Sequence, residues 1–154
     1  MMTHLKINLL REMTSSPIRI ILVDDHKIVR ESWSLLLGYD SRFTIIHECD
    51  NGQEAIEQAL TLSPDVLLVD INMYPANGFE VAKRILETNP TAKIIGISVN
   101  NQPSYSARML EIGGMGFVTK GSPFEEVTHA IIEVHKGNRY VCNEIKNMLN
   151  NSNL

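Results

Sequence analysis

The sequence predicts an α/β fold, a doubly wound parallel sheet of five strands, and three observations carry that expectation. From Ile18 onward, short apolar runs of four to six residues alternate five times with segments of 3.6-residue apolar spacing. Gly, Pro or Asn closes each helical segment. Polar residues stand where several apolar runs end: Asp24 and Asp25, Asp70, Ser98 and Lys120. In open parallel sheets the strands are buried on both faces and ligands bind beyond their carboxyl ends, so such residues converge.

The first strand is expected at 18–23, and behind it Val29, Trp33, Leu36 and Leu37 form a helical stripe that stops at Gly38. A second strand at 43–48 precedes a helix carrying Ala55, Ile56, Ala59 and Leu60, ended by Ser63-Pro64. The third strand, 66–69, leads through a loop at 71–78 into a helix with Val81, Ala82, Ile85 and Leu86, ended by Asn89-Pro90. After a fourth strand at 93–98, the helix around 104–112 has the weakest apolar stripe and stops at Gly113-Gly114. The fifth strand, 116–119, precedes a helix with Val127, Ala130, Ile131 and Val134 that ends at Gly137. Repeated βα units imply a parallel sheet, here with the flavodoxin-like strand order 2-1-3-4-5.

Outside this domain, 18–137, lie two tails. Residues 1–17 form an N-terminal extension ending in Thr14-Ser15-Ser16-Pro17, expected to be mobile, with a short docked helix through Leu5, Ile7, Leu9 and Leu10 as the alternative. Residues 138–154 are asparagine-rich and read as a linker start or tail with one short helix at 144–149. The 154 residues, 44% apolar with net charge −4, suit one soluble domain. No broad basic field serves a nucleic-acid backbone, and no window approaches the ~20 apolar residues of a membrane span. The first twelve residues lack a continuous apolar signal core, so a cytoplasmic location is expected. Cys49 and Cys142 make no disulfide framework, and neither is read as having a Cys or His at metal-ligand spacing. His4, His47, His129 and His135 are assigned no chemistry, and Trp33 is assigned to the core.

The strand order makes strands 1 and 3 neighbours, which brings Asp24 and Asp25 beside Asp70. Three such carboxylates stay ionised together only when a divalent cation compensates them, and Mg²⁺ prefers hard oxygen ligands shared with phosphate. Strand 5 is two strands away, about 10 Å. A long Lys120 side chain reaches back from there, whereas Ser98, one strand away, needs only a hydroxyl. A carboxylate nucleophile beside a cation and an ammonium suits formation of an aspartyl phosphate, with Asp70 as nucleophile.

With these residues in place, the chain resembles a response-regulator receiver domain of two-component signalling, over roughly 18–137. The Val23-Asp24-Asp25-His26 start and the Gly116-Phe117-Val118-Thr119-Lys120-Gly121 end are most similar to the NarL/FixJ (LuxR-type) subfamily. The resemblance implies that Asp70 accepts a phosphoryl group from a sensor histidine kinase. It implies Mg²⁺ held by Asp25, Asp70 and the main-chain carbonyl of Asn72, with Asp24 acting through water. Ser98 is then the switch hydroxyl, Phe117 the switch aromatic and Lys120 the phosphate-binding lysine; the 22 positions from Ser98 to Lys120 agree. Asn72 and Asn100 occupy rate-tuning positions. Such a domain catalyses only its own phosphorylation and dephosphorylation, and a homodimer is a possible output state. A DNA-binding helix-turn-helix requires ~60 further residues, so DNA contact is expected only through an output domain outside this chain.

Two departures stand out: Tyr74 is inserted before Pro75, where the family runs Asp-x-x-Met-Pro, and Gly121 replaces the usual proline, so no cis peptide is expected after Lys120. Taken singly, Asp25 reads as a helix cap, Phe117 as core, Ser98 as a turn residue and His26 as a helix N-terminal residue. Jointly, residue types that complete one phosphate site favour the receiver. The main alternative is a stand-alone or phosphorylation-independent pseudo-receiver acting as a protein-interaction module. A haloacid-dehalogenase phosphatase expects Asp-x-Asp after the first strand, and a flavodoxin expects a hydroxyl-rich loop there; this chain has adjacent Asp24-Asp25.

Overall fold

The run Ile18–Val23 is buried at every position except Arg19, and 66–70, 94–98 and 116–119 are buried throughout, as strands covered on both faces must be. In the computed structural model, which describes residues 1, 3–14 and 16–152, these runs are β1 (Ile18–Val23), β3 (Val66–Asp70), β4 (Ile94–Ser98) and β5 (Gly116–Thr119). With β2 (Phe43–Cys49) and β6 (Tyr140–Val141) they form one parallel sheet in the order β2-β1-β3-β4-β5-β6. The expected order 2-1-3-4-5 holds, and the five-stranded expectation is corrected to six. A two-residue strand is too short to show periodicity, and β6 is recruited by hydrogen bonds from Tyr140 N to Met115 O and from Cys142 N to Phe117 O.

Seven helices are described: α1 (His4–Thr14), α2 (Lys27–Gly38), α3 (Gly52–Leu62), α4 (Gly78–Thr88), α5 (Pro103–Ile112), α6 (Phe124–His135) and α7 (Asn143–Ser152). Helices α2 and α6 share one face of the sheet, where Trp33 and Phe124 stack with centroids 6.3 Å apart. Helices α3, α4 and α5 pack side by side on the other. Asn51 and Asn77 cap α3 and α4, each side-chain oxygen accepting from the backbone N–H three residues on, Glu54 and Glu80. Gly113 ends α5 at φ 112°, a conformation L side chains avoid. Ile20, Ile21, Leu67, Ile94, Ile95 and Ile131 are fully buried, each contributing roughly 1.5–3 kcal/mol of hydrophobic stabilisation.

Each tail carries a helix, the alternative expected for the first and the short helix expected for the second. The N-terminal extension carries the helix α1 with Leu5 and Leu9 exposed; Ser15, within the breaker sequence, lies outside the described residues. At the other end the packed unit continues past Gly137. Cys142 and Ile145 are fully buried, and the Thr119 hydroxyl donates to Glu144, so α7 is part of the core rather than a linker; Asn153 and Leu154 lie outside the described residues.

Candidate functional site

The register places the site. Val23 lies beside Val69, and Asp70 beside Ile97, so Asp24 and Asp25 emerge next to Asp70 at the carboxyl edge. Ser98 lies beside Thr119, and Lys120 follows. Lys120 Nζ reaches back to 3.1 Å from Asp24 Oδ2 and 3.3 Å from Asp70 Oδ2, the reach its strand position requires. Asp70 is fully buried and Asp24 nearly so, while Asp25 is partly exposed. Burial pushes the Asp70 carboxyl above the usual carboxylate range. The hydrogen bond from Asn72 N and the Lys120 charge pull it down and Asp24 pushes it up, but burial wins.

The donor set fits a hard divalent cation. Ligand atoms of Asp24, Asp25, His26 and Asp70 all lie within 4.8 Å of one another. An octahedral Mg²⁺ with bonds of about 2.0–2.1 Å sets its oxygens roughly 2.9–4.2 Å apart, so the three carboxylates need only small rotamer adjustments. Asp25 caps no helix; His26 takes the N-cap of α2, and its backbone N–H donates to Asp24 Oδ1 at 2.8 Å. The His26 ring, read from the sequence as a helix N-terminal residue, stands with Nδ1 3.1 Å from both Asp24 and Asp25 and 3.5 Å from Asp70.

The remaining site residues are engaged as follows. The Ser98 hydroxyl donates to Asn72 Oδ1 at 2.8 Å and accepts from Asn100 N at 3.0 Å, so it faces the Asp70 loop without contacting Asp70. The Asn100 side chain is turned into its own loop, accepting from Gln102 N. Phe117 is fully buried, and its ring covers Gly96 so closely that a Cβ there falls 2.9 Å from Cδ2. The Tyr74–Pro75 peptide is cis, and Tyr74 is exposed. The loop returns to β3 where Gly78 N donates to Ile71 O at 3.0 Å.

A second cluster lies between β2 and α3. His47 and Cys49, assigned no metal chemistry from the sequence, join Glu54 in bringing a nitrogen, a sulfur and an oxygen within 4.8 Å of one another. Two-residue spacing on a strand puts His47 and Cys49 on one face, and the first turn of α3 supplies Glu54. That spacing was the available signal.

Comparison with known proteins agrees with this geometry. The response regulator receiver domain family matches residues 20–132. The chain is 32% identical over 132 residues to the response regulator GacA of Pseudomonas viridiflava, covering 86% of this chain and 62% of GacA. It is also 32% identical over 124 residues to the oxygen regulatory protein NreC of Staphylococcus epidermidis, covering 80% of this chain and 57% of NreC. It thus spans about three-fifths of the curated relatives it matches. Among solved structures, a LuxR-family two-component response regulator from Aurantimonas sp. SI85-9A1 superposes with TM-score 0.85 at 27% identity, covering 90% of this chain and 99% of that one. The signal receiver domain of NarL from Mycobacterium tuberculosis gives 0.76 at 27% identity, covering 80% and 100%. No helix among the described residues is long and apolar enough to cross a membrane. With the acid cluster, the reaching lysine and the sheet order all in agreement, the chain belongs to the response-regulator receiver family of two-component systems, of the NarL/FixJ type.

Proposed function

We propose that the chain accepts a phosphoryl group on Asp70 from a sensor histidine kinase and passes the change to an output surface. The observation that carries this reading is the buried Asp70 carboxylate with Lys120 Nζ at 3.3 Å and two further acids within metal-sharing distance. Asp70 Oδ attacks phosphorus in line, the bond from phosphorus to the donor breaks, and the donor leaves with that electron pair. Asp25, Asp70 and the Asn72 main-chain carbonyl would hold Mg²⁺, and Asp24 would act through water. When bound, the ion neutralises charge on the phosphoryl oxygens. Lys120 supplies the second positive charge by moving from the Asp24–Asp70 pair onto a phosphoryl oxygen. Ser98 leaves Asn72 to donate to another, and Phe117 moves into the space it vacates. Transcriptional output belongs to a segment beyond the receiver.

Beryllofluoride, an isostere of the acyl phosphate, tests the reading. With Mg²⁺ it should raise the thermal midpoint beyond Mg²⁺ alone, and Asp70→Asn and Lys120→Ala should lose that increment. A wild-type midpoint indifferent to beryllofluoride would favour the pseudo-receiver, for which the inserted Tyr74 in the metal-side loop is the supporting feature.

A further inference from the structure

The second cluster differs in chemistry from the acidic pocket and shares no residue with it. Its donors are the His47 imidazole, the Cys49 thiol and the Glu54 carboxylate. Imidazole and thiolate suit borderline ions such as Zn²⁺, whereas Mg²⁺ takes oxygen. We propose that His47, Cys49 and Glu54 form a binding site for one borderline divalent cation, Zn²⁺ foremost, completed by water.

The spacing fits. Zinc bonds of about 2.0–2.3 Å in tetrahedral geometry set ligand atoms roughly 3.3–3.7 Å apart. His47 Nε2 and Glu54 Oε1 are 2.8 Å apart, so they open by about half an ångström, and the remaining separations, at most 4.8 Å, close by about one. Cys49 forms the buried floor, while His47 and Glu54 are each about one-third exposed, which gives an ion an entry path. Burial pushes the Cys49 thiol up to about 12, so the sulfur is protonated until a metal binds. Binding breaks the S–H bond, forms the S–metal bond and passes the proton to water.

An independent feature aims the ligands. The register of β2 on β1 slips between Ile20 and Ile21, so Ile45 pairs with Ile20 but His47 pairs with Ile21. The extra residue, Ile46, reverses the facing of all that follows. His47 and Cys49 thereby turn to the α3 face where Glu54 waits, and Glu48 turns to α2, meeting Ser34 and Arg30. Without the slip, His47 faces α2 and no three-donor set exists. A bound ion pins β2, an edge strand whose free side is open to pairing with other chains, onto α3.

Cobalt(II) is the probe, added to the full chain in excess Mg²⁺ so that the acidic pocket is occupied. One equivalent should produce an intense near-ultraviolet thiolate-to-cobalt band that one equivalent of Zn²⁺ bleaches. Cys49→Ser should abolish the band, Cys142→Ser should keep it, and His47→Gln should weaken Co²⁺ binding at least about tenfold. Absence of the band in the wild type, or its survival in Cys49→Ser, overturns the site. Should Cys49→Ser not fold, the partly exposed His47→Gln decides, and unchanged affinity there overturns it equally. Phosphorylation at Asp70 is not read in this experiment, so the two proposals stand or fall separately.

Discussion

Gly78 offers a sharp test of how the phosphoacceptor is positioned. It opens α4, and a Cβ built on it falls 2.7 Å from Ile71 Cα and 2.9 Å from the Asp70 carbonyl carbon. The Asp70 carbonyl oxygen lies closer still, and ordinary contact begins at 3.4 Å, so main chain at the end of β3 has to yield by more than 0.7 Å, with no rotamer to absorb it. Overpacking of this kind costs about 1–3 kcal/mol, and the lower unfolded-state entropy of alanine returns about 0.4–1 kcal/mol. Gly78→Ala should therefore destabilise by about 1–2 kcal/mol in urea unfolding. Because ~1 Å of misplacement costs about a hundredfold in a positioned reaction, labelling by acetyl phosphate should slow by about tenfold or more. Gly121→Ala is the control. It follows Lys120 directly, but nothing lies within 4 Å of its Cβ position, so stability should stay within about 0.5 kcal/mol and labelling should be unchanged. Equal unfolding midpoints and labelling rates for the two variants would refute the claim that this contact sets Asp70.

Four further outcomes follow from the site and the tail. The folded Asp70 carboxyl is raised by burial, so its charge costs stability above the folded pKa, and that cost disappears as pH falls through the folded value to the ordinary carboxylate range. In Mg²⁺-free buffer Asp70→Asn should thus be more stable than the wild type at neutral pH, with the gain vanishing as pH falls to the ordinary carboxylate range, as read by urea unfolding. Mg²⁺ at a hundred times its dissociation constant should stabilise the wild type by about 2.7 kcal/mol in thermal unfolding, and Asp25→Asn should lose most of this. Lys120→Ala removes the cation shared by Asp24 and Asp70, and should slow acetyl phosphate labelling about 10²–10³-fold in a mass-spectrometric time course. Ile145→Ala, at a fully buried position on α7, should cost about 2–5 kcal/mol in urea unfolding if α7 belongs to the domain.

The strands were legible because strands buried on both faces must be continuous apolar runs, and those starting at Ile18, Val66 and Gly116 match the observed elements at their first residues. Asp24, Asp70 and Lys120 were legible because topology alone brings strand ends together, and the Lys120 contacts agree with the reach its strand requires. What escaped detection depended on tertiary context. Tyr140–Val141 is a strand only because β5 offers a free edge, and α7 joins the core through Ile145 alone among its buried residues. The partner of the Ser98 hydroxyl, Asn72, depends on a side-chain rotamer that no spacing encodes. The two-residue spacing of His47 and Cys49 is visible in the sequence, but the slip at Ile46 that turns them toward Glu54 leaves no mark in hydrophobic periodicity.

Intact mass after incubation with acetyl phosphate tests the central claim most directly. With Mg²⁺ the wild type should gain a single phosphoryl group, and Asp70→Asn and the chelated wild type should gain none. Equal labelling of Asp70→Asn would place the chemistry elsewhere, and no labelling under conditions that label a known receiver would contradict phosphoryl acceptance by this chain.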